Sequence, residues 1–281
     1  MKATVSTRSR TDLVLRETRW LALLVIPFLV AAAVILLIWP ENTGALFAWP
    51  IKPPMTAMML GSAYMGGLYF FFRVLWARQW HVIKSGFLPV ATFAGLMGIA
   101  TVLHWDKFTP GHISFIAWAS VYFVSPFLVL AAWWFNRVAD PGVPGAGERL
   151  IPRALRMVLG AGGLVEIGLG VLLFLAPALM ISIWPWTLTP LTARVVGAMV
   201  TLPGVAQLAV ALDARWSSAR IEMEAQAFSL VFILISAARS WNNFNPANVG
   251  TYLFSGGLGA LLIFLAGMYI WMETRPKMSQ G

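Results

Sequence analysis

Trp105-Asp106-Lys107-Phe108-Thr109-Pro110 and Trp241-Asn242-Asn243-Phe244-Asn245-Pro246 decide how this chain is read. The two stretches share Trp, Phe and Pro at one constant offset, that from Trp105 to Trp241. At the same offset Pro54, Thr56, Ala57 and Gly61 return as Pro190, Thr192, Ala193 and Gly197, and Trp80 returns as Trp216. An ungapped recurrence of this kind marks a duplicated unit. In a membrane bundle it implies a pseudo-symmetric interface between two halves. It fixes architecture and leaves chemistry open.

Composition names the solvent. The 281 residues are 59% hydrophobic and 11% charged, against about 25% charged in a soluble domain. So much apolar surface belongs in lipid. The chain has no cysteine, which excludes disulfides, Cys-ligated zinc, thiolate nucleophiles and iron–sulfur clusters. The net charge of +9 does not argue for nucleic acid, because most of the cations flank apolar spans, where topology places them.

Eight apolar segments stand out, at about 20–39, 54–76, 86–104, 112–135, 157–176, 191–212, 222–239 and 249–272. Each can satisfy its own backbone as a helix, as the bilayer core requires. The first run, Trp20 to Trp39, is longer than the apolar core of a signal peptide and is read as a mature span. Asn136 to Arg156 contains Asp140-Pro141-Gly142-Val143-Pro144-Gly145 and reads as a linker between repeats. The expected organisation is a basic cytoplasmic tail (1–19), a first four-helix repeat (20–135), a cytoplasmic linker (136–156), a second repeat (157–272) and a cytoplasmic tail (273–281).

With the N-terminus inside, 16 of the 20 Lys and Arg fall in inner segments; Lys52, Lys107, Arg194 and Arg239 do not. The expectation is an all-α, polytopic protein with both termini cytoplasmic. Four spans per repeat is an even number, so the two repeats run parallel rather than inverted. Tryptophan fits the same frame: all but Trp118 fall near predicted span edges, the depth indole favours. Pro40 to Trp49-Pro50 and Pro177 to Trp184-Pro185 enclose apolar pieces too short to span, expected to lie along the outer interface.

The strings Trp184-Pro185-Trp186-Thr187-Leu188-Thr189-Pro190-Leu191-Thr192-Ala193-Arg194 and Leu103-His104-Trp105-Asp106-Lys107-Phe108 resemble a group of uncharacterised multi-pass bacterial membrane proteins common in actinobacteria. The resemblance covers most of both repeats. It implies a bacterial plasma membrane and nothing catalytic.

Candidate sites come from polar residues that lipid should exclude. Glu166 sits about ten residues into the fifth segment among Gly160, Gly162, Gly163, Gly168 and Gly170. An intramembrane acid costs roughly 2.5 to 3.5 kcal/mol on insertion scales, so it needs a reason. A proton- or cation-linked site and a hydrogen bond that glues two helices are both open. Gln207 and Glu224 are expected to converge with Glu166 on one cavity. The plainer account places Glu222 and Glu224 at the headgroup level, paired with Arg215 or Arg220; it is favoured for Glu222 and stays open for Glu224.

Arg194 and Arg239, on the outer side and without counterparts in the first repeat (Met58 and Leu103), suggest an anion site. Snorkelling to the surface is the plainer account. His104, Asp106 and His112 bracket one loop, but their spacing matches no metal motif; no metal and no cofactor is expected. No nucleophile motif is visible.

The function expected is therefore binding or movement of a small solute, ion or lipid at a polar site in the second repeat. The alternative is a non-catalytic scaffold or subunit, meeting a protein partner through Lys2 to Arg19. Membrane lipids are the other expected partner. An enzyme is the weaker expectation; its version here is an intramembrane lipid enzyme using Asp106, His104, His112 and Arg239.

Overall fold

The computed structural model describes residues 11–276. Most of the tail expected to meet a partner, up to residue 10, lies outside the described residues. Among the described residues the fold is all-helical. Eight helices are long and apolar enough to cross a membrane. Two short helices fall between them. In chain order the helices are α1 (Arg16–Ile38), α2 (Thr43–Leu46), α3 (Pro54–Trp76), α4 (Phe87–Leu103), α5 (Ile113–Asn136), α6 (Arg153–Leu175), α7 (Pro177–Ile183), α8 (Pro190–Leu212), α9 (Trp216–Arg239) and α10 (Val249–Thr274). The short ones, α2 and α7, fill the pieces that were too short to span.

Local sequence sets several helix starts. Thr189 and Thr192 form a reciprocal capping box at α8, with Pro190 in the first turn, where its missing N–H costs nothing. Asn248 caps α10 by accepting from the Gly250 N–H. The His112 ring accepts from the Ser114 N–H at the head of α5.

The start of α9 is different. Its apolar run begins near residue 222, yet the helix begins at Trp216. Tertiary partners hold the extra turn. The Trp216 N–H donates to the Arg149 carbonyl, and the Ser217 N–H donates to the Glu148 carboxylate at 3.1 Å. Glu222 and Glu224 consequently lie well inside the helix.

Burial separates an inner from an outer ring. The most apolar window is 61% buried in α3, 56% in α4 with its lead-in turn and 50% in α8, but only 11% in α10. The inner helices pack in a crossed pattern. Helix α3 packs on α1 and on α9, while α8 packs on α6 and on α4; α5 covers α4 and α10 covers α9.

The tightest seam is α6 against α8. A Cβ on Gly163 would lie 2.6 Å from the Gly204 carbonyl oxygen, and one on Gly170 would lie 2.7 Å from that of Gly197. Side chains of even one carbon are excluded there, so the backbones touch.

The faces at the two ends differ. One, the linker face, carries residues 137–152. There Leu13 bridges to Gln79 and Leu150 to Arg215. These two matching strand-like contacts tie the segment before α1 to the α3–α4 turn and the segment before α6 to the α8–α9 turn. The opposite face carries Trp105, Trp241 and the short helices.

Candidate functional site

The two groups of four helices are filled unequally. Helix α1 packs against α5, whereas α6 and α10 make at most marginal contact. Between α1 and α5 aromatic rings narrow the space to a cavity of about 120 Å³. Trp118 packs on Trp49, Phe47 and Tyr122, and the Tyr64 and Tyr122 hydroxyls hydrogen-bond at 2.6 Å. At the offset of the duplicated motifs, Trp118 and Tyr122 correspond to Phe254 and Leu258. Both are smaller, and both line a cavity of about 260 Å³.

That cavity is mostly apolar, with walls from α3, α6, α8, α9 and α10. Its polar groups include Glu166 from α6 and Glu222, Gln226 and Ser229 from α9; no Lys or Arg among the described residues lines it. Glu166 is half-buried, and its Oε2 accepts a hydrogen bond from Gln207 Nε2 at 2.7 Å. Glu222 is buried and makes no hydrogen bond or ion pair among the described residues. Its Oε2 points toward Gly86, 2.7 Å from where a Cβ would stand. A side chain at Gly86 would press first on the Phe70 ring, at 2.3 Å, and then on this oxygen.

The expected trio is thus divided. Gln207 joins Glu166 as its hydrogen-bond donor, but Glu224 is elsewhere. Its carboxylate accepts from the Tyr69 hydroxyl at 2.5 Å, the Tyr269 hydroxyl at 2.9 Å and Arg220 Nε at 3.1 Å, and pairs closely with Arg73. Four donors saturate it, so it ties α3, α9 and α10 together and leaves nothing for a ligand. Glu222 does not pair with Arg215 or Arg220: Arg215 is held by Asp140 and Asp213, and the pairing with Arg220 is made by Glu224 instead. Glu222 takes the place beside Glu166 that sequence reasoning gave to Glu224.

Arg215 is committed on the linker face. It bonds Asp140 Oδ1 at 2.8 Å and Asp213 Oδ2 at 2.7 Å, and Lys84 Nζ reaches the same two carboxylates at 2.6 and 2.7 Å. Burial pushes both carboxyls up, but the hydrogen bonds from Arg215 and Lys84 outweigh it and hold them well below the ordinary carboxylate range. This network fastens the linker to the α8–α9 turn.

On the opposite face the two arginines are not brought together. Arg194 Nη1 donates to His104 Nε2 at 2.8 Å; Arg239 Nη1 donates to the Leu37 carbonyl at 2.6 Å. Arg194 Nε is buried and has no partner among the described residues. Burial, with the Arg194 charge beside it, lowers the His104 pKa below its usual value. Asp106 pairs with Lys107 at 2.6 Å, and His112 is spent on its cap. Comparisons with protein-family models, curated proteins and solved structures return no match.

Proposed function

We propose that this chain binds or moves a small solute, ion or lipid at a polar site in the second of two tandem four-helix repeats. The observation that carries the reading is the α6–α10 cavity, which holds two carboxyl side chains and, among the described residues, no cation. Buried charge is tolerated when paired. An occupant supplying a positive or proton-donating head, with an apolar body, would satisfy Glu166 and Glu222 and fill the remaining walls.

The crossed packing supports the duplication: exchanging the helices of one half for those of the other turns α3 on α9 into α8 on α4. The distribution of Lys and Arg supports a parallel arrangement with the linker face and both termini in the cytoplasm, in a bacterial plasma membrane. Gln207 belongs to the site as the donor that orients Glu166, and Glu224 as an anchor of its rim. Arg194, with its Nε unpartnered, is the better of the two arginines for an anion such as a lipid phosphate; Arg239 is a separate contact.

The scaffold reading has one specific support. Glu166 already has a partner, and that hydrogen bond lies on the seam where α6 and α8 touch.

Infrared spectroscopy separates the readings. In purified protein in nanodiscs, the Glu166 carboxyl band is assigned by difference from Glu166→Gln. A long-chain alkylamine is then added. A band that shifts on addition supports the binding site. A band that ignores the amine across the accessible pH range leaves the scaffold reading in command.

A further inference from the structure

The linker face holds a chain of side chains that the proposed site does not use. Asp12 Oδ2 bonds His81 Nδ1 at close range, and His81 Nε2 lies 3.1 Å from Ser217 Oγ. Asp12 and His81 are buried; Ser217 is half-buried and opens on a separate pocket of about 430 Å³ that also receives Glu148 and Arg149. This is the order of contacts a serine nucleophile needs: a carboxylate on one ring nitrogen, the hydroxyl on the other. The backbone reinforces it. Asp12 has φ of +50°, an uncommon conformation for a residue with a side chain, and its Oδ1 accepts the His81 N–H at 3.0 Å. The ring and its carboxylate are held from two directions.

We infer that Ser217, His81 and Asp12 form a serine hydrolase centre for a small carboxylic ester on the linker face. Ser217 is in the first turn of α9, so its N–H points out of the helix end. Glu148 shows where a substrate would sit. One of its oxygens accepts the Ser217 N–H at 3.1 Å, and the other accepts the Ser217 hydroxyl at 2.6 Å. A carboxylate held on the nucleophile and its amide stands in for the acid product, and it closes the site at rest.

When an ester displaces Glu148, Ser217 Oγ attacks the carbonyl carbon and His81 Nε2 takes the hydroxyl proton. The carbonyl π electrons move to oxygen, which the Ser217 N–H and the positive end of α9 stabilise. Collapse breaks the C–O bond, and the leaving alkoxide takes the proton from His81 as an alcohol. Water then attacks the acyl-serine with His81 as base. The carboxylic acid leaves and Ser217 regains its proton. Asp12 positions the ring and balances its transient charge.

The arrangement has an origin in the duplication. His81 and Ser217 stand at the offset of the duplicated motifs, and so do Asp12 and Glu148. Asp12 holds the His81 N–H and ring as Glu148 holds the Ser217 N–H and hydroxyl. Two copies of one carboxylate cap thus meet face to face, one having become the base and the other the nucleophile.

The test is labelling of the full chain in nanodiscs with a mass-tagged fluorophosphonate, read by peptide mass spectrometry. An adduct on Ser217 is expected, formed faster in Glu148→Ala and about 10²- to 10⁴-fold more slowly in His81→Gln, the span of a general base. An adduct seen only in Glu148→Ala supports the same assignment, with the site shut at rest. Absence of a Ser217 adduct from monodisperse wild-type protein and from Glu148→Ala overturns it, as does an unchanged rate in His81→Gln. Neither result bears on the infrared behaviour of Glu166.

Discussion

Replacing Gly170 with alanine should destabilise this protein, while the same replacement two positions earlier should not. A Cβ at Gly170 would lie 2.2 Å from Thr201 Oγ1, 2.7 Å from the Gly197 carbonyl oxygen and 3.0 Å from the Thr201 nitrogen. The hydroxyl can swing away only by giving up its 2.8 Å bond to Gly197. The carbonyl is backbone and cannot swing, so α6 must part locally from α8. A gap of about 0.5–1 Å forfeits a quarter to a half of each affected dispersion contact, and overpacking a tight seam costs about 1–3 kcal/mol. Against this stands the roughly 0.5–1 kcal/mol by which alanine favours a helix interior over glycine. The net expectation is a loss of about 1–2 kcal/mol. A Cβ at Gly168 meets nothing within 4 Å, so only the favourable term remains and Gly168→Ala should gain about 0.5 kcal/mol. Equilibrium unfolding in mixed micelles compares the two variants with wild type. Equal shifts in the same direction would refute the claim that backbone contact holds α6 to α8.

Arg215→Met should lower stability at pH 7 by about 3 kcal/mol, because it strips the guanidinium from two buried carboxylates; a loss below about 1 kcal/mol in the same unfolding assay contradicts the network. Asp140 and Asp213 are held below the ordinary range, so their contribution is present above about pH 4 and fades as acid protonates them. Wild type should lose stability on acidification below that point more steeply than Asp213→Asn. For His104 the depressed pKa means that stability is present above its ordinary value of 6.5 and declines as the pH falls below it; a pH-stability slope there that is identical in His104→Gln rules the effect out. Leu258→Tyr restores the bulk found at Tyr122 and should fill the α6–α10 cavity, abolishing the alkylamine response of Glu166 while leaving the fold stable by circular dichroism.

Much of this architecture was legible because lipid imposes a coarse code. The eight apolar runs and the short pieces after Pro40 and Pro177 match observed helices to within a few residues at most edges. Helix α9 was the exception. Trp216 to Ile221 is too polar to register as a span, and the groups that hold its first turn, the Glu148 carboxylate and the Arg149 carbonyl, lie beyond the whole of α6, α7 and α8 in the chain. Glu222 and Gln226 share the face of α9 that lines the cavity, while Glu224 meets Tyr69, Arg73 and Tyr269; which face looks inward is set by the packing of α9 on α3 and α10. Glu166 stood out because an acid deep in an apolar run is costly and needs a partner, and the structure gives it Gln207. The Asp12, His81 and Ser217 chain was invisible for the opposite reason: the three residues are far apart in sequence, match no spacing motif and are joined only by the fold. The shared offset of His81 and Ser217 was the one available signal, and it was hidden because the two residues differ.

The crossed packing of the inner helices has a consequence for how the molecule is made. A nascent chain that has inserted α1, α3, α4 and α5 has not yet produced the partners that cover α3 and α4, namely α9 and α8. Its two most deeply seated helices therefore meet lipid, or a chaperone of the insertion machinery, until the second half is synthesised. A break between α5 and α6 would therefore part α3 from α9 and α4 from α8, so neither fragment carries its own full set of helix contacts.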